Sequence, residues 1–536
     1  MGQNKISHYF KFISKFYHNR IKLSIFLLGL SLSLAFAPFN LGFVCLVIIP
    51  ILFNTLEKTQ DLKKVFIYSF LFCFGFFISG IYWICNSLLI DVARYGWLIP
   101  FAITLIPALM ALYFAGIYLL YKFLINYLKL HSNSIKILLF SIAWLVFDIL
   151  RSNLFTGFSW NLLGYIWLFN LNFAQLANIF GVYGLSFLAC LISLTGVLLL
   201  SKKSVFHDKI FGFLLLVLLP MIFFYGKSQI SLASDKLTKI AKVRMVQANI
   251  KQQDKWLESE KYQNFFKHIN LTKSQPLDNI DVVIWSETSI PYALQNSPRD
   301  ENLSAIASEL SKIIPQNGYL VSGAIRYDQA KDKNYQVWNS FFVFNHRGLV
   351  QYYDKQHLVP FGEYIPLHNY LSFLFIDQIV DKITGGGFGF SSGQGNKNLQ
   401  LGNFSINPLI CYEVIFSGEL LDRDKKIPDF FINITNDSWF GNSTGPYQHL
   451  AMAQMRAIEY GRALIRVAQT GVSANINSFG KITEQIALNE EAIVDSEVFG
   501  DSRITLYAKY SHWPLVVLII FMLIIFWPKK IINKTR

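Results

Sequence analysis

Apolar residues fall along this chain in two textures. Up to about residue 228, and again beyond 512, they form long runs separated by short, lysine-bearing polar stretches. In between, the apolar runs shorten and polar turns punctuate them. The first texture predicts membrane-spanning helices at about 23–38, 41–56, 65–88, 98–125, 136–150, 176–200, 209–226 and 513–528, eight in all. The second predicts strands at Val243–Asn249, Asp281–Trp285, Tyr319–Ala324, Ser340–Phe344, Leu349–Tyr353, Phe404–Ile410, Phe430–Thr435 and Leu464–Ala468, with a hairpin turn at Asn345–Gly348. Helical patterns fall at about 255–273, 299–313 and 446–462. Strands alternating with helices, plus hairpins, predict a sandwich of two sheets between helices. The expected organisation is a seven-span region over 1–228, a layered domain over 229–511, and a final span with its tail over 512–536.

Composition agrees with the long runs. The 536 residues are 53% hydrophobic and 16% aromatic but only 15% charged, which is not the balance of a soluble protein. The net charge of +14 does not imply nucleic acid, because Lys and Arg gather at the ends of apolar runs and no DNA- or RNA-binding motif is present. With the N-terminus in the cytoplasm, Lys58, Lys63 and Lys64 lie on one side with Lys122, Lys129 and Lys136, with Lys202, Lys203 and Lys209, and with Lys529, Lys530, Lys534 and Arg536. The opposite short loops offer little more than Arg94 and Arg151. That bias places 227–512 outside the cytoplasm. The first run follows Lys5, Lys11, Lys15 and Arg20 and resembles a signal peptide, but further spans follow at once and it reads as a retained span. Residues 151–175 carry Trp160, Tyr165, Trp167, Phe169 and Phe173, either as an interfacial segment at headgroup depth or as a loop packed on its neighbours.

Candidate chemistry centres on Phe404–Ile410, an apolar run that breaks abruptly at Cys411-Tyr412-Glu413. A buried strand ending so delivers a nucleophile onto a tight elbow. Of five cysteines, Cys45, Cys73, Cys85 and Cys190 lie in or beside apolar runs, and Cys411 stands alone in the polar domain with no disulfide partner there. Two upstream stretches accompany it: Val282-Val283-Ile284-Trp285-Ser286-Glu287, and Tyr353-Asp354-Lys355-Gln356-His357-Leu358-Val359-Pro360-Phe361-Gly362-Glu363.

These three motifs, in this order and flanked by membrane segments, resemble the apolipoprotein N-acyltransferases, which carry a nitrilase-type (carbon-nitrogen hydrolase) domain within a polytopic membrane protein. The resemblance implies an αββα nitrilase-like fold and a catalytic triad of Glu287, Lys355 and Cys411. A thiol needs a base to become a nucleophile, and Glu287 at a strand end suits that task. Lys355 suits the stabilisation of an oxyanion and of the thiolate. By resemblance Glu363 orients Lys355, and Glu413 holds the elbow or the incoming amine. Tyr412 and Trp256 are candidates to line the acyl or substrate pocket, whereas His357 and His449 read as structural.

The implied reaction is ping-pong acyl transfer from a phospholipid, through a Cys411 thioester, to the α-amine of a diacylglyceryl apolipoprotein. The implied setting is the bacterial inner membrane with the catalytic domain facing the periplasm, as a monomer, without cofactor or metal. A membrane-tethered amidase or nitrilase would use the same triad with water as acceptor, but a soluble amide needs no eight-span anchor. A transporter predicts ionisable residues within the spans; apart from Asp148 near a span end they are almost absent. Finally, Leu367, Tyr370, Leu371, Leu374 and Phe375 recur at helical spacing ahead of Gly385–Gly389. That pattern predicts either a mobile, membrane-contacting lid over 364–390 or a stretch packed on its own domain or on the spans.

Overall fold

The computed structural model describes residues 20–234, 237–294, 303–329, 335–360, 362–364, 389–395, 397–421 and 426–527. The predicted lid over 364–390 lies almost wholly outside these residues.

Among the described residues, thirteen strands form two sheets: β1 (Thr238–Gln247), β2 (Val282–Trp285), β3 (Ile290–Leu294), β4 (Tyr319–Gln329), β5 (Tyr335–Asn345), β6 (Gly348–Asp354), β7 (Leu399–Leu401), β8 (Phe404–Ile410), β9 (Phe430–Thr435), β10 (Ala463–Ala468), β11 (Ser473–Ile476), β12 (Ile482–Ile486) and β13 (Ala492–Gly500). One sheet runs β13-β1-β2-β4-β5-β6 with β3 beside β4, and the other runs β12-β11-β10-β9-β8-β7. The pairs β1–β2, β2–β4, β3–β4, β8–β9 and β9–β10 are parallel, and the remaining pairs are antiparallel.

Strand periodicity decides which face each side chain takes. Ile284, Val321, Phe341, Ile406, Ile410, Ile432 and Val467 meet in one core between the sheets. Val283, Trp285 and Leu320 face outward onto the Glu258–Lys273 and Leu303–Ser311 helices through Phe265, Ile269, Ile306 and Leu310. On the other side Leu409, Phe431 and Leu464 pack on the Gly445–Tyr460 helix. These are the four predicted layers, αββα. Five strands escape the sequence pattern: β3 carries Pro291, β7 has three residues, β11 has four, and β12 and β13 alternate with charged residues at the sheet edge.

Among the described residues, five helices are long and apolar enough to cross a membrane: Leu62–Gly80, Gly96–Tyr127, Asn133–Thr156, Ala177–Leu200 and Phe206–Ser231. The other three expected spans are shorter helices over 20–32, Cys45–Lys58 and Trp513–Phe526, below the roughly 20 residues of a straight crossing. The run expected to span 65–88 breaks after Gly80. There Asn161 donates to the Gly80 carbonyl at 3.0 Å, and a Cβ on Gly80 would meet the same amide at 2.9 Å.

The lysine-rich helix ends cluster together. Lys136 pairs with Glu57 at 2.9 Å, and Lys122 donates to the Glu57 carbonyl at 2.9 Å. The opposite ends meet the layered domain. Trp83 and Trp160 both donate to Gln448 Oε1, at 3.0 and 2.7 Å, and Asn86 donates to the Phe440 carbonyl at 2.6 Å. Hence the headgroup-depth alternative for residues 151–175 is corrected for its central rings: Trp160, Tyr165 and Trp167 are buried in protein. Arg151 is likewise not a free loop charge. It pairs with Asp148 at 2.9 Å and donates to the carbonyls of Phe158, Trp160 and Asn161, so the main ionisable pair near a span end shapes this loop. A transporter gains no support from it.

Candidate active site

Cys411 follows β8 directly and opens a short 3-10 turn, Cys411–Ile415. Its φ of +50° is the left-handed conformation that turns a strand end sharply and is uncommon outside glycine. Glu413 holds that turn closed. One carboxylate oxygen accepts from the Ile410 N–H at 2.7 Å, and the other from the Tyr353 hydroxyl, the Gln356 N–H and the His357 N–H at 2.7, 2.8 and 3.2 Å. Both oxygens are therefore occupied, and of its two implied roles the geometry carries the elbow. Burial pushes Glu413 above the ordinary carboxylate range despite these bonds. Glu413→Ala is expected to strand several buried donors and lower stability by about 3 kcal/mol or more. A thermal midpoint within about 1 °C of the parent would show that water replaces the carboxylate.

Glu287 lies two residues beyond β2, in a turn whose next residue, Thr288, also has positive φ. Gly323 on β4 makes room for it, since a Cβ there would stand 2.3 Å from the Thr288 nitrogen and 2.8 Å from the Glu287 Cα. Lys355 follows β6, and its backbone N–H donates to the Asn339 carbonyl on β5 at 2.9 Å. Its ammonium donates to Glu363 at 2.8 Å and lies 3.8 Å from Glu287. Asn339 Nδ2 ties the two carboxylates together, at 2.6 Å to Glu287 and 3.1 Å to Glu363. The second Glu363 oxygen accepts from the Val359 N–H at 2.8 Å. All of these side chains are buried or nearly so.

The electrostatics follow from burial and neighbours. Burial, with the Glu287 charge adding to it, pushes the Cys411 thiol up to about 12, while Lys355 and a hydrogen bond from Thr435 oppose the shift. Cys411 therefore rests as a thiol, which to act as a nucleophile would have to hand its proton to a base. Burial works against the Lys355 ammonium, but Glu363 and Glu287 outweigh it and hold its pKa well above the ordinary lysine value. A permanent cation thus stands beside an ionisable thiol and a carboxylate, which suits nucleophilic attack on an acyl carbonyl.

Of the residues singled out in the sequence, Glu287, Lys355, Cys411 and Glu363 converge. Tyr412 turns away, and its hydroxyl donates to the Gly157 carbonyl at 2.8 Å, locking the elbow to the loop between two membrane helices. Trp256 is 38% exposed and its ring stands 5.8 Å from Lys255 Nζ.

Three groups were not legible in the sequence. Asn339 is one strand residue among many. Lys255 is a buried lysine donating to the Glu287 carbonyl at 3.0 Å. Beneath the elbow, Asp437 binds His449 at 2.9 Å and Arg466 at 2.5 Å. Arg466 also holds Asn433, whose amide reaches the Leu409 carbonyl at 3.3 Å. His449, read as structural, gains its partner here. No local spacing announces such a network, because its members come from β9, the 3-10 turn Asp437–Phe440 after it, the Gly445–Tyr460 helix and β10.

Comparison with known proteins fits this arrangement. Residues 28–195 match the Apolipoprotein N-acyltransferase N-terminal domain, and 242–502 match the Carbon-nitrogen hydrolase family. The chain is 32% identical to the "Apolipoprotein N-acyltransferase" of Rickettsia typhi, over 94% of this chain and 98% of the relative. It is 33% identical to that of Rickettsia bellii, over 96% and 99%, and 32% identical to that of Brucella melitensis, over 94% of each. Similarity at this level along nearly the whole of both partners, through the membrane helices as well as the domain that holds Cys411, makes this chain a member of the apolipoprotein N-acyltransferase family.

Proposed function

We propose that this chain transfers a fatty acyl group from a membrane phospholipid to the α-amine of the S-diacylglyceryl cysteine of an apolipoprotein, the last step of bacterial lipoprotein maturation. The observation that carries this reading is the buried Glu287–Lys355–Glu363 cluster acting on the Cys411 thiol, in a chain whose relatives bear that activity in their names. Glu287 takes the thiol proton as sulfur attacks the ester carbonyl. Lys355 stabilises the oxyanion. Collapse expels the glycerol alkoxide, which takes the proton from Glu287 and leaves as lysophospholipid, with the acyl group held as a thioester. The amine then attacks the thioester and gives a proton to Glu287. Collapse releases the amide and the thiolate, which recovers the proton.

Residues 1–228 and 512–536 form the membrane anchor and 229–511 the catalytic domain, facing the periplasm from the inner membrane. Both substrates are lipid-anchored, so a site at the membrane-facing ends of the helices serves them without leaving the bilayer. The gathering of Lys122 and Lys136 at the far end from Cys411 supports this orientation. A reporter fused after Arg536 is expected in the cytoplasm and one inserted near Asn296 outside it; both on one side would refute the topology. The activity itself is tested by incubation with labelled-acyl phospholipid and mass spectrometry of the Cys411 peptide, followed by addition of a diacylglyceryl lipopeptide. Transfer of label to the amine supports the reading, whereas release as free fatty acid would make the chain a hydrolase.

A further inference from the structure

The acyl-transfer scheme gives no part to a second buried lysine that touches Glu287. Lys255, in the turn after β1, is 3% exposed, and its Nζ donates to the Glu287 main-chain carbonyl at 3.0 Å. Among the described residues no carboxylate oxygen lies within 4.0 Å of it. Such a site is unusual, because a buried ammonium ordinarily carries an anionic partner.

The reason lies one shell away. Glu287 and Glu363 share a single close cation, Lys355, at 3.8 and 2.8 Å, so the buried set carries one surplus negative charge. Attack by sulfur places further negative charge on the substrate oxygen in the same enclosed space. We propose that Lys255 is a positioning residue of the acylation step: its ammonium completes the charge balance of the Glu287–Lys355–Glu363 cluster, and its hydrogen bond to the Glu287 carbonyl fixes the turn that aims that carboxylate. The inference rests on Cys411, Glu287 and Lys355 being the acylating centre.

The electrostatics of the turn agree. Burial lowers Lys255 to about 8, with the Glu287 charge opposing the fall. The other titratable neighbour is His268 on the Glu258–Lys273 helix, which burial lowers to about 4, with Lys255 and Lys267 adding to the effect, so it is neutral through the working range. Lys255 is thus charged below about pH 8 and neutral above it. Acylation falls across that pH even though thiolate becomes easier to form.

The test uses the full-length protein in lipid-bilayer discs with labelled-acyl phospholipid and no acceptor. Single-turnover formation of the Cys411 thioester is followed from pH 6 to 10. The parent rate falls near pH 8. Lys255→Met acylates about tenfold to a hundredfold more slowly at pH 7, lacks the fall near pH 8, and keeps or raises the thermal midpoint, because an apolar chain of similar length replaces an unpaired buried charge. Lys255→Arg retains more of the rate than Lys255→Met and holds it above pH 8, since a guanidinium does not titrate there. Parent-like rates and pH profile in Lys255→Met overturn the proposal. So does a loss shared equally by Lys255→Arg that follows a lowered midpoint, which marks a purely structural lysine. Absence of label on Cys411 in the parent instead refutes the acylating centre itself.

Discussion

Cys411→Ala is expected to form no acyl-enzyme with labelled-acyl phospholipid, and transfer to a lipopeptide amine should fall to background. The loss is total because the covalent step has no substitute. The four other cysteines are Cys45, Cys73, Cys85 and Cys190, all on membrane-domain helices, and none of them carries the Glu287 and Lys355 pair that surrounds Cys411. The side chain removed is small and sits at a strand end whose turn is held by Glu413 rather than by sulfur. The thermal midpoint should therefore move by only a few degrees, separating chemistry from folding. Label trapped normally in Cys411→Ala would remove this residue from the mechanism, and label on another cysteine would name its replacement.

Glu287→Gln should slow acylation by about a thousandfold, within the range that a positioned general base contributes. Burial and the Glu287 charge set the Cys411 thiol at about 12, so at pH 7 roughly one thiol in 10⁵ is ionised without help. The amide cannot take the proton, although its oxygen still accepts the Asn339 hydrogen bond seen at 2.6 Å, so the fold should persist. Only preformed thiolate then reacts. Removing the Glu287 charge eases ionisation somewhat, but the residual rate should still climb nearly tenfold per pH unit through the neutral range. The parent rate is expected to show no such climb, since on the proposed mechanism Glu287 supplies the thiolate in step with attack. A flat residual rate in Glu287→Gln would assign the base elsewhere.

Much of this was written in local pattern. The run Phe404–Ile410 and its break at Cys411 predicted a strand with identical bounds and a nucleophile at its end, because an apolar run cannot continue through Tyr-Glu without turning. Phe430–Thr435 is likewise identical, and Glu287 and Lys355 lie at strand ends as the apolar stretches before them required. Edge strands were harder. β12 and β13 bury one face only and alternate with Glu and Asp, so their signal sinks into that of a polar turn.

What the sequence determined by itself is therefore whatever depends on neighbours along the chain: the membrane runs and their charge bias, the central strands, and the order of the three motifs. Tertiary structure alone decided which groups meet across them. Asn339 bridges two glutamates from a different strand, Lys255 reaches the Glu287 carbonyl from the far side of the turn, and Asp437, His449 and Arg466 assemble under the elbow from three elements. It also made Trp160 a joint between the membrane helices and the layered domain rather than an interfacial ring, and tied the Tyr412 hydroxyl to the Gly157 carbonyl. The physical reason is that hydrophobic periodicity is a local constraint on burial, whereas a buried charge or donor is satisfied by whichever partner the fold brings within about 3 Å, and that partner carries no mark of it in its own surroundings.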